Sequence, residues 1–323
     1  MLNIFVPQPQ GLARVEPGEP VVIPESALWV DLLEPTIDEE RLIEAHLGVD
    51  VPTREEMKEI EASNRLYEDN GAIYMTATVA AKIDTDHPVS TAVTFILKGN
   101  KLVTNRYLDT KPFNQFISYA QTHPAACQSG VAILAGIMEA VTERIADILE
   151  RVGADLDGIS GNIFVRGGTP PSRDLRSMIE RIGFSGDLNS KARESLVSLG
   201  RLLMFVQQTT VSDMSTEQRN RFRSVSRDVM SLSDHSNFLG SKISFLLEAT
   251  LGLISVEQNN IIKIFSVAAV LFLPPTLIAS IYGMNFHLLP ELPGRYGNFF
   301  FSIGLMVASM GATYAVFKRK GWL

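Results

Sequence analysis

Between Ile264 and Pro290 the chain has no Asp, Glu, Lys or Arg, and a second uncharged run extends from Tyr296 to Phe317. The core of the first, Ile264 to Tyr282, is nineteen residues long, and the second is twenty-two. At 1.5 Å per residue, either run crosses a hydrocarbon layer of about 30 Å. No other feature limits the fold so sharply. A pair of buried core helices is the competing reading, but core helices are seldom this long, and these lie end to end across a short connection. The sequence therefore predicts two C-terminal membrane spans, 264–285 and 296–317, joined by a loop over 286–295 and followed by a basic tail, 318–323.

Charge divides the chain in the same place. Residues 261–323 carry Lys263, Arg295, Lys318, Arg319 and Lys320 against Glu291, a net +4, so the chain total of −7 leaves −11 on residues 1–260. Lys263 precedes the first span and Lys318-Arg319-Lys320 follow the second, so the positive-inside rule puts both termini in the cytoplasm and the 286–295 loop outside. Tyr296 and Trp322 suit interfacial anchors. The opening MLNIFVPQPQ has no basic start and no apolar core of signal-peptide length. An acidic body of this kind has the wrong sign for nucleic acid as a partner and too much apolar content for a disordered chain. Cys127 is the only cysteine, which excludes an intrachain disulfide and a multi-cysteine zinc site.

The acidic body predicts an α/β domain over 1–125. Leu28–Leu32 and Ala72–Val79 read as strands. Thr91–Leu97 and Lys101–Tyr107 read as a hairpin across Gly99-Asn100. Thr36 with Glu39, and Thr53 with Glu56, are capping boxes that each predict a helix start. Helices are expected on both faces of the sheet. From 126 to 216 the pattern is helical, with one long amphipathic segment from Val131 to Val152 that Asp155–Val165 extends. The break at Arg166–Pro171 is too short for a phosphate loop and lacks the Lys-Ser/Thr that would follow one. Ser172 to Leu273 contains no proline over 102 residues, so it is expected to be helical, with a turn near Asp213–Thr216 and a cap at Ser215 or Thr216. Val225, Leu232, Leu239, Leu246 and Leu253 then recur every seven residues, as in packed helices. A stalk helix over 217–263 that runs on to Tyr282 would be about 100 Å long. So long a helix has little core of its own, which predicts neighbouring copies of the chain.

Enzyme chemistry finds no support. None of His46, His87, His123, His235 and His287 stands in a metal-ligand or catalytic-triad spacing, and no organic cofactor motif is present. The first span is more informative. Ile262, Phe265, Ala269, Leu273 and Thr276 are spaced 3, 4, 4 and 3, so they share one stripe. Pro274-Pro275 remove two donors and free carbonyls near Val270 and Leu271. Periodicity alone fits a helix packing in lipid as well as one lining a pore.

The outer end of this span reads Tyr282-Gly283-Met284-Asn285-Phe286. Around it stand Glu257-Gln258-Asn259, Phe272-Leu273-Pro274-Pro275-Thr276, Leu289-Pro290-Glu291-Leu292 and the closing Phe317-Lys318-Arg319-Lys320-Gly321-Trp322-Leu323. These residues resemble the CorA magnesium and cobalt transporters, most closely the enterobacterial type. Pro52–Met57 and Ser63-Asn64-Arg65-Leu66-Tyr67 extend the resemblance into the acidic body. The resemblance implies an α/β/α cytoplasmic funnel, a stalk helix that becomes the first span, and a homopentamer in the bacterial inner membrane with lipid around the second spans. It implies a passive channel for Mg²⁺, with Co²⁺ and Ni²⁺ as further substrates. By the same resemblance Asn285 forms the ring that meets the hydrated ion, Gly283 allows the close backbone turn, and Tyr282 and Met284 complete the filter. Thr276 forms a hydroxyl ring, Leu273, Phe265 and Ile262 are apolar constrictions with Ala269 between them, and Asn259 and Gln258 stand at the inner mouth. Neutral amides suit an ion that dehydrates reluctantly and keeps its waters, and apolar rings close a pore by dewetting.

The loop departs from the family pattern. His287 stands where many members carry an acid, and Leu289 replaces a Met, so Glu291 is the acid left outside the pore. A histidine there suits softer ions, which keeps a zinc transporter of the same superfamily, some of them proton-coupled, as an alternative. A two-span receptor is a further one. The family resemblance also implies that cytoplasmic Mg²⁺ bridges acids of adjacent subunits and holds the pore shut, with Asp84, Asp86, Asp228 and Asp234 as candidate ligands.

Overall fold

The computed structural model describes residues 1–15, 18, 21–164, 175–210, 214–284 and 297–321. The break predicted at 166–171, the 286–295 loop, Tyr296 and Trp322, and with them Asn285, His287 and Glu291, lie outside the described residues. The chain divides into two compact units, Met1–Leu247 and Glu248–Leu323.

The first unit is built on a seven-stranded sheet of β1 (Leu2–Gln8), β2 (Gly11–Val15), β3 (Trp29–Leu33), β4 (Leu66–Asp69), β5 (Ala72–Ala81), β6 (Val89–Lys98) and β7 (Lys101–Arg106), in the order β2-β1-β3-β7-β6-β5-β4. The predicted hairpin across Gly99-Asn100 is β6–β7, with Lys98 opposite Lys101. Neighbouring strands are antiparallel except β3 and β7, which run parallel with Asp31 opposite Thr104. Side chains alternate between two buried faces. Leu2, Ile4, Val30, Leu32, Tyr74, Ile96 and Val103 meet Ile43 of α1 (Ile37–Leu47) on one face. On the other, Phe5 stacks on Trp29 at 4.4 Å, and Trp29 and Phe95 pack on Phe113 and Phe116 of α3 (Lys111–Ala120). Helix α2 is a single turn, Ala62–Arg65.

The two capping boxes have different outcomes. At α1 the Thr36 hydroxyl accepts the Glu39 N–H at 3.3 Å, the Glu39 carboxylate accepts the Thr36 N–H at 2.9 Å, and Gly48 closes the helix at φ 64°. Thr53 and Glu56 make the same reciprocal bonds, yet only a 3₁₀ turn, Glu56–Lys58, follows. The helix expected there does not form. Met57 is buried, but Ile60 one turn on is 86% exposed, so no apolar face holds further turns against the body.

Three long helices complete the unit. α4 (Gly130–Ile163) runs unbroken through Val131–Val152 and on into the Asp155–Val165 extension, α5 spans Leu175–Thr209, and α6 spans Thr216–Tyr282. Ser215 caps α6, accepting the Gln218 N–H at 3.2 Å while the Gln218 side chain accepts the Ser215 N–H at 2.9 Å. The seven-residue repeat of α6 packs side by side with other helices, as its period predicts, and those helices belong to the same chain. Phe222, Val225, Val229, Ser236, Leu239 and Leu246 of α6 are buried within a single chain. Leu239 lies over Gly153 of α4, Val229 over Gly200 of α5, and the Ser236 hydroxyl donates to the Asn189 side chain of α5 at 3.1 Å. Val225, Leu239 and Leu246 of the repeat are thus buried within one chain, and Leu232 is half-buried.

Candidate functional site

The second unit holds the end of α6 and α7 (Gly297–Arg319), and both helices are long and apolar enough to cross a membrane. Its geometry is set by which face of α6 meets α7. Val267 is buried to 8% exposure, and Leu271, Pro274, Pro275, Ile278 and Tyr282 are half-buried. Tyr282 meets Phe301 of α7 edge-on at 6.3 Å. At 100° per residue these positions form one stripe. Ile262, Phe265, Ala269, Leu273 and Thr276 form the opposite stripe, and it is open: Phe265 is 71% exposed and Leu273 66%. Gln258 and Asn259 lie one turn before Ile262 and are exposed as well.

Helix α6 continues through Pro274 and Pro275, and two hydroxyls bond to its backbone just beyond them. The Thr276 hydroxyl donates to the Phe272 carbonyl at 2.7 Å, and the Ser280 hydroxyl donates to the Thr276 carbonyl at 2.9 Å. Both hydroxyls bond back four residues, in the turns that follow the prolines, whereas the carbonyls that Pro274 and Pro275 leave without a helical donor are those of Val270 and Leu271. At the C-terminal end of α6 the Gly283 N–H closes the last turn on Ala279 O at 2.9 Å. A Cβ on Gly283 would stand 2.9 Å from that same oxygen, closer than side chains come to backbone, so the turn requires glycine. Met284 follows, 57% exposed.

The four acids predicted as regulatory ligands fall into two groups. Asp84 is clamped by Lys111 at 2.5 Å, Arg144 at 2.8 Å and Arg151 at 3.0 Å. The bond from Lys111 outweighs burial, and with the two arginines it pulls the Asp84 carboxyl down to about 2. Asp86, Asp228 and Asp234 are exposed and make no ion pair among the described residues. Among the described residues no three His, Cys, Asp or Glu side chains of one chain converge on a metal position. The clamp has a pH signature. A lowered pKa means Asp84 stabilises the fold above about pH 4 and loses that contribution as pH falls toward 2. The side chain is 43% exposed, so each pair is worth at most about 1 kcal/mol. Asp84→Asn is expected to melt below wild type at pH 6, with the gap closing between pH 4 and 2; a gap independent of pH would contradict the clamp.

The sequence reading missed a buried polar network on the sheet. Arg106, 2% exposed, forks onto Asp31 through Nε and Nη2, both at 2.9 Å, and reaches Asp109 through Nη1 at 2.9 Å. Thr104 donates to Asp31 at 2.8 Å and Trp29 to Thr104 at 3.0 Å. Burial alone would lower the Arg106 pKa, but the bonds and charges of Asp31 and Asp109 raise it. The available signal was one acid and one base inside two expected strands. It lacked the knowledge that β3 and β7 pair in parallel.

A large α/β domain joined to two spanning-length helices, one of them presenting an open apolar stripe that ends in a glycine turn, defines an integral membrane transport protein. A family model described as "CorA-like Mg2+ transporter protein" matches residues 24–319, and the chain belongs to this family. It is 33% identical over 325 residues, 100% of both chains, to the magnesium transport protein CorA of Pasteurella multocida (strain Pm70), and equally so to that of Escherichia coli (strain K12). The complete structure of the CorA magnesium transporter from Methanocaldococcus jannaschii shares the fold, with a TM-score of 0.78 at 20% identity over 100% of this chain and 99% of that one.

Proposed function

We propose that this protein is a passive channel for Mg²⁺, with Co²⁺ and Ni²⁺ as further substrates, formed by several copies of the chain in the inner membrane. The observation that carries this reading is the open stripe of α6. Ile262, Phe265, Ala269, Leu273 and Thr276 stand opposite the stripe that α7 covers, so copies set round an axis with α7 outward would line one pore with them. Five copies is the number the family resemblance supports. The relatives named above are magnesium transport proteins over their full length, which supports Mg²⁺ as the substrate.

Each part of the stripe then has a task. Asn285 and the carbonyls of the Gly-Met-Asn turn hold the ion's water shell, which costs less than stripping a reluctant Mg²⁺. Thr276 offers a hydroxyl ring below. Leu273, Phe265 and Ile262 close the pore by excluding water. Influx needs no coupled energy source, because 100 mV, inside negative, favours a divalent cation by about 4.6 kcal/mol. Lys318 and Arg319 end α7, which supports cytoplasmic termini. Cytoplasmic Mg²⁺ closes the pore by bridging acids of adjacent subunits. Asp86, Asp228 and Asp234 fit that role better than Asp84, whose charge is already met within the chain.

The test is ion flux into proteoliposomes holding a Mg²⁺-sensitive dye, with an inside-negative potential and no pH gradient. Mg²⁺ influx that follows voltage is expected. Zn²⁺ influx that needs a pH gradient, with no Mg²⁺ influx, would replace this reading with a zinc transporter; silence for both, beside a conducting control, would favour a receptor. In the same assay Asn285→Ala is expected to abolish selective Mg²⁺ uptake while the oligomer still assembles on size exclusion. Unchanged selectivity would remove Asn285 from the filter.

A further inference from the structure

Arg65 belongs to the Ser63–Tyr67 stretch, and pore formation leaves it unused. It stands where the sheet is incomplete. β4 pairs with β5 only from Ala72 to Met75, so from Thr76 onward the outer edge of β5 has no strand beside it. Helix α5 guards that edge, its Ser198 hydroxyl accepting the Thr78 N–H at 2.9 Å. Between helix and strand is a cleft of about 560 Å³, within the range of small-molecule sites.

Three guanidinium groups line this cleft, on Arg65, Arg193 and Arg201. Arg65 is held by neutral partners, donating from Nε to the Glu59 carbonyl at 2.5 Å and from Nη1 to the Thr78 hydroxyl at 3.0 Å. Arg193 and Arg201 lie two turns apart on α5 and make no ion pair among the described residues. Glu194 is the acid in the lining, and it accepts the Ser90 hydroxyl at 2.7 Å. The lining therefore carries +2, inside a region of the chain that totals −11. Burial lowers the Arg65 pKa; Glu194 opposes the shift and Arg201 adds to it, so these charges sense one another.

Three arginines and a single acid in one lining give a local positive charge that favours an anion. The walls narrow the class of anion. Ile60, 86% exposed, and Val197, 46% exposed, present apolar surface beside the guanidinium groups. Inorganic phosphate would leave that surface bare.

We propose that this cleft binds a phosphate-bearing organic anion of the nucleoside polyphosphate class. The arginines take the phosphate oxygens in forked, charge-assisted bonds, and the base or sugar covers Ile60 and Val197. The test is ATP binding to the full-length protein in detergent, by calorimetry, with EDTA present so that Mg²⁺ sites do not respond to chelation. Saturable binding is expected, weakened about tenfold or more by Arg193→Gln with Arg201→Gln, since each removes a charge-assisted contact. Both side chains are exposed, so the double variant is expected to keep the wild-type melting temperature. Absence of saturable ATP binding overturns the proposal, as does binding that the double variant leaves unchanged. Calorimetric binding of inorganic phosphate to the same protein as tight as that of ATP overturns the assignment of an organic ligand.

Discussion

Thr276→Cys or Leu273→Cys, treated with a water-soluble cationic thiol reagent, is expected to lose Mg²⁺ flux by about tenfold or more, because a fixed positive ring repels the divalent ion at a narrow point. Ile278→Cys, on the stripe that faces α7, is expected to conduct as before after the same treatment. The contrast rests on two residues two positions apart: Thr276 is exposed and Ile278 is half-buried. The native background is quiet. Cys127 is 2% exposed, and burial pushes its thiol up to about 11 although Arg221 pulls the other way. Almost no thiolate is present at neutral pH, and the thiolate is the reactive form. Block at Ile278→Cys with none at Thr276→Cys or Leu273→Cys would reverse the faces and remove the pore from this stripe.

The largest loss of stability is expected from Arg106→Ala, at about 3–5 kcal/mol, because it leaves Asp31 charged and unpaired in a dry interior. Asp31 is 0% exposed and keeps only neutral donors, Thr104 and Asn3. The guanidinium also lies over the Phe113 ring at 4.6 Å, so part of the loss is packing. Asp31→Leu combined with Arg106→Met is expected to cost clearly less than Arg106→Ala alone, since no charge is then stranded. Thermal unfolding of the full chain in detergent measures both. Equal losses in the single and double variants would mean that the pair acts through shape alone.

The Thr53 and Thr36 boxes show where local reading stops. Both sets of bonds form as their spacing predicts, because three residues suffice to make them. Whether a helix then continues depends on apolar contacts several turns on, and Ile60 has none to make. The leucine repeat of α6 teaches the same lesson from the other side. Its period predicts packed helices, and packed helices are present. The period does not say whose helices they are, and the structure supplies them from α4 and α5 of the same chain. The arginine cleft was invisible for a related reason, since Arg65 meets α5 from 128 or more positions away.

Taken alone, the sequence determined the two spanning helices, the −11 and +4 division of charge, the caps of α1 and α6, and the Gly-Met-Asn signature that points to the family. Each of these is a property of neighbours along the chain: a length compared with a bilayer, a sum of charges, a three-residue spacing. Tertiary structure alone decided that Val267 is buried and Tyr282 meets α7 while Phe265 and Leu273 stay open, that Lys111, Arg144 and Arg151 converge on Asp84, and that Arg106 finds Asp31 across 75 positions. Those outcomes turn on which surfaces meet. Burial, charge pairing and the face of a helix left exposed are set by partners distant in sequence, and no local pattern encodes them.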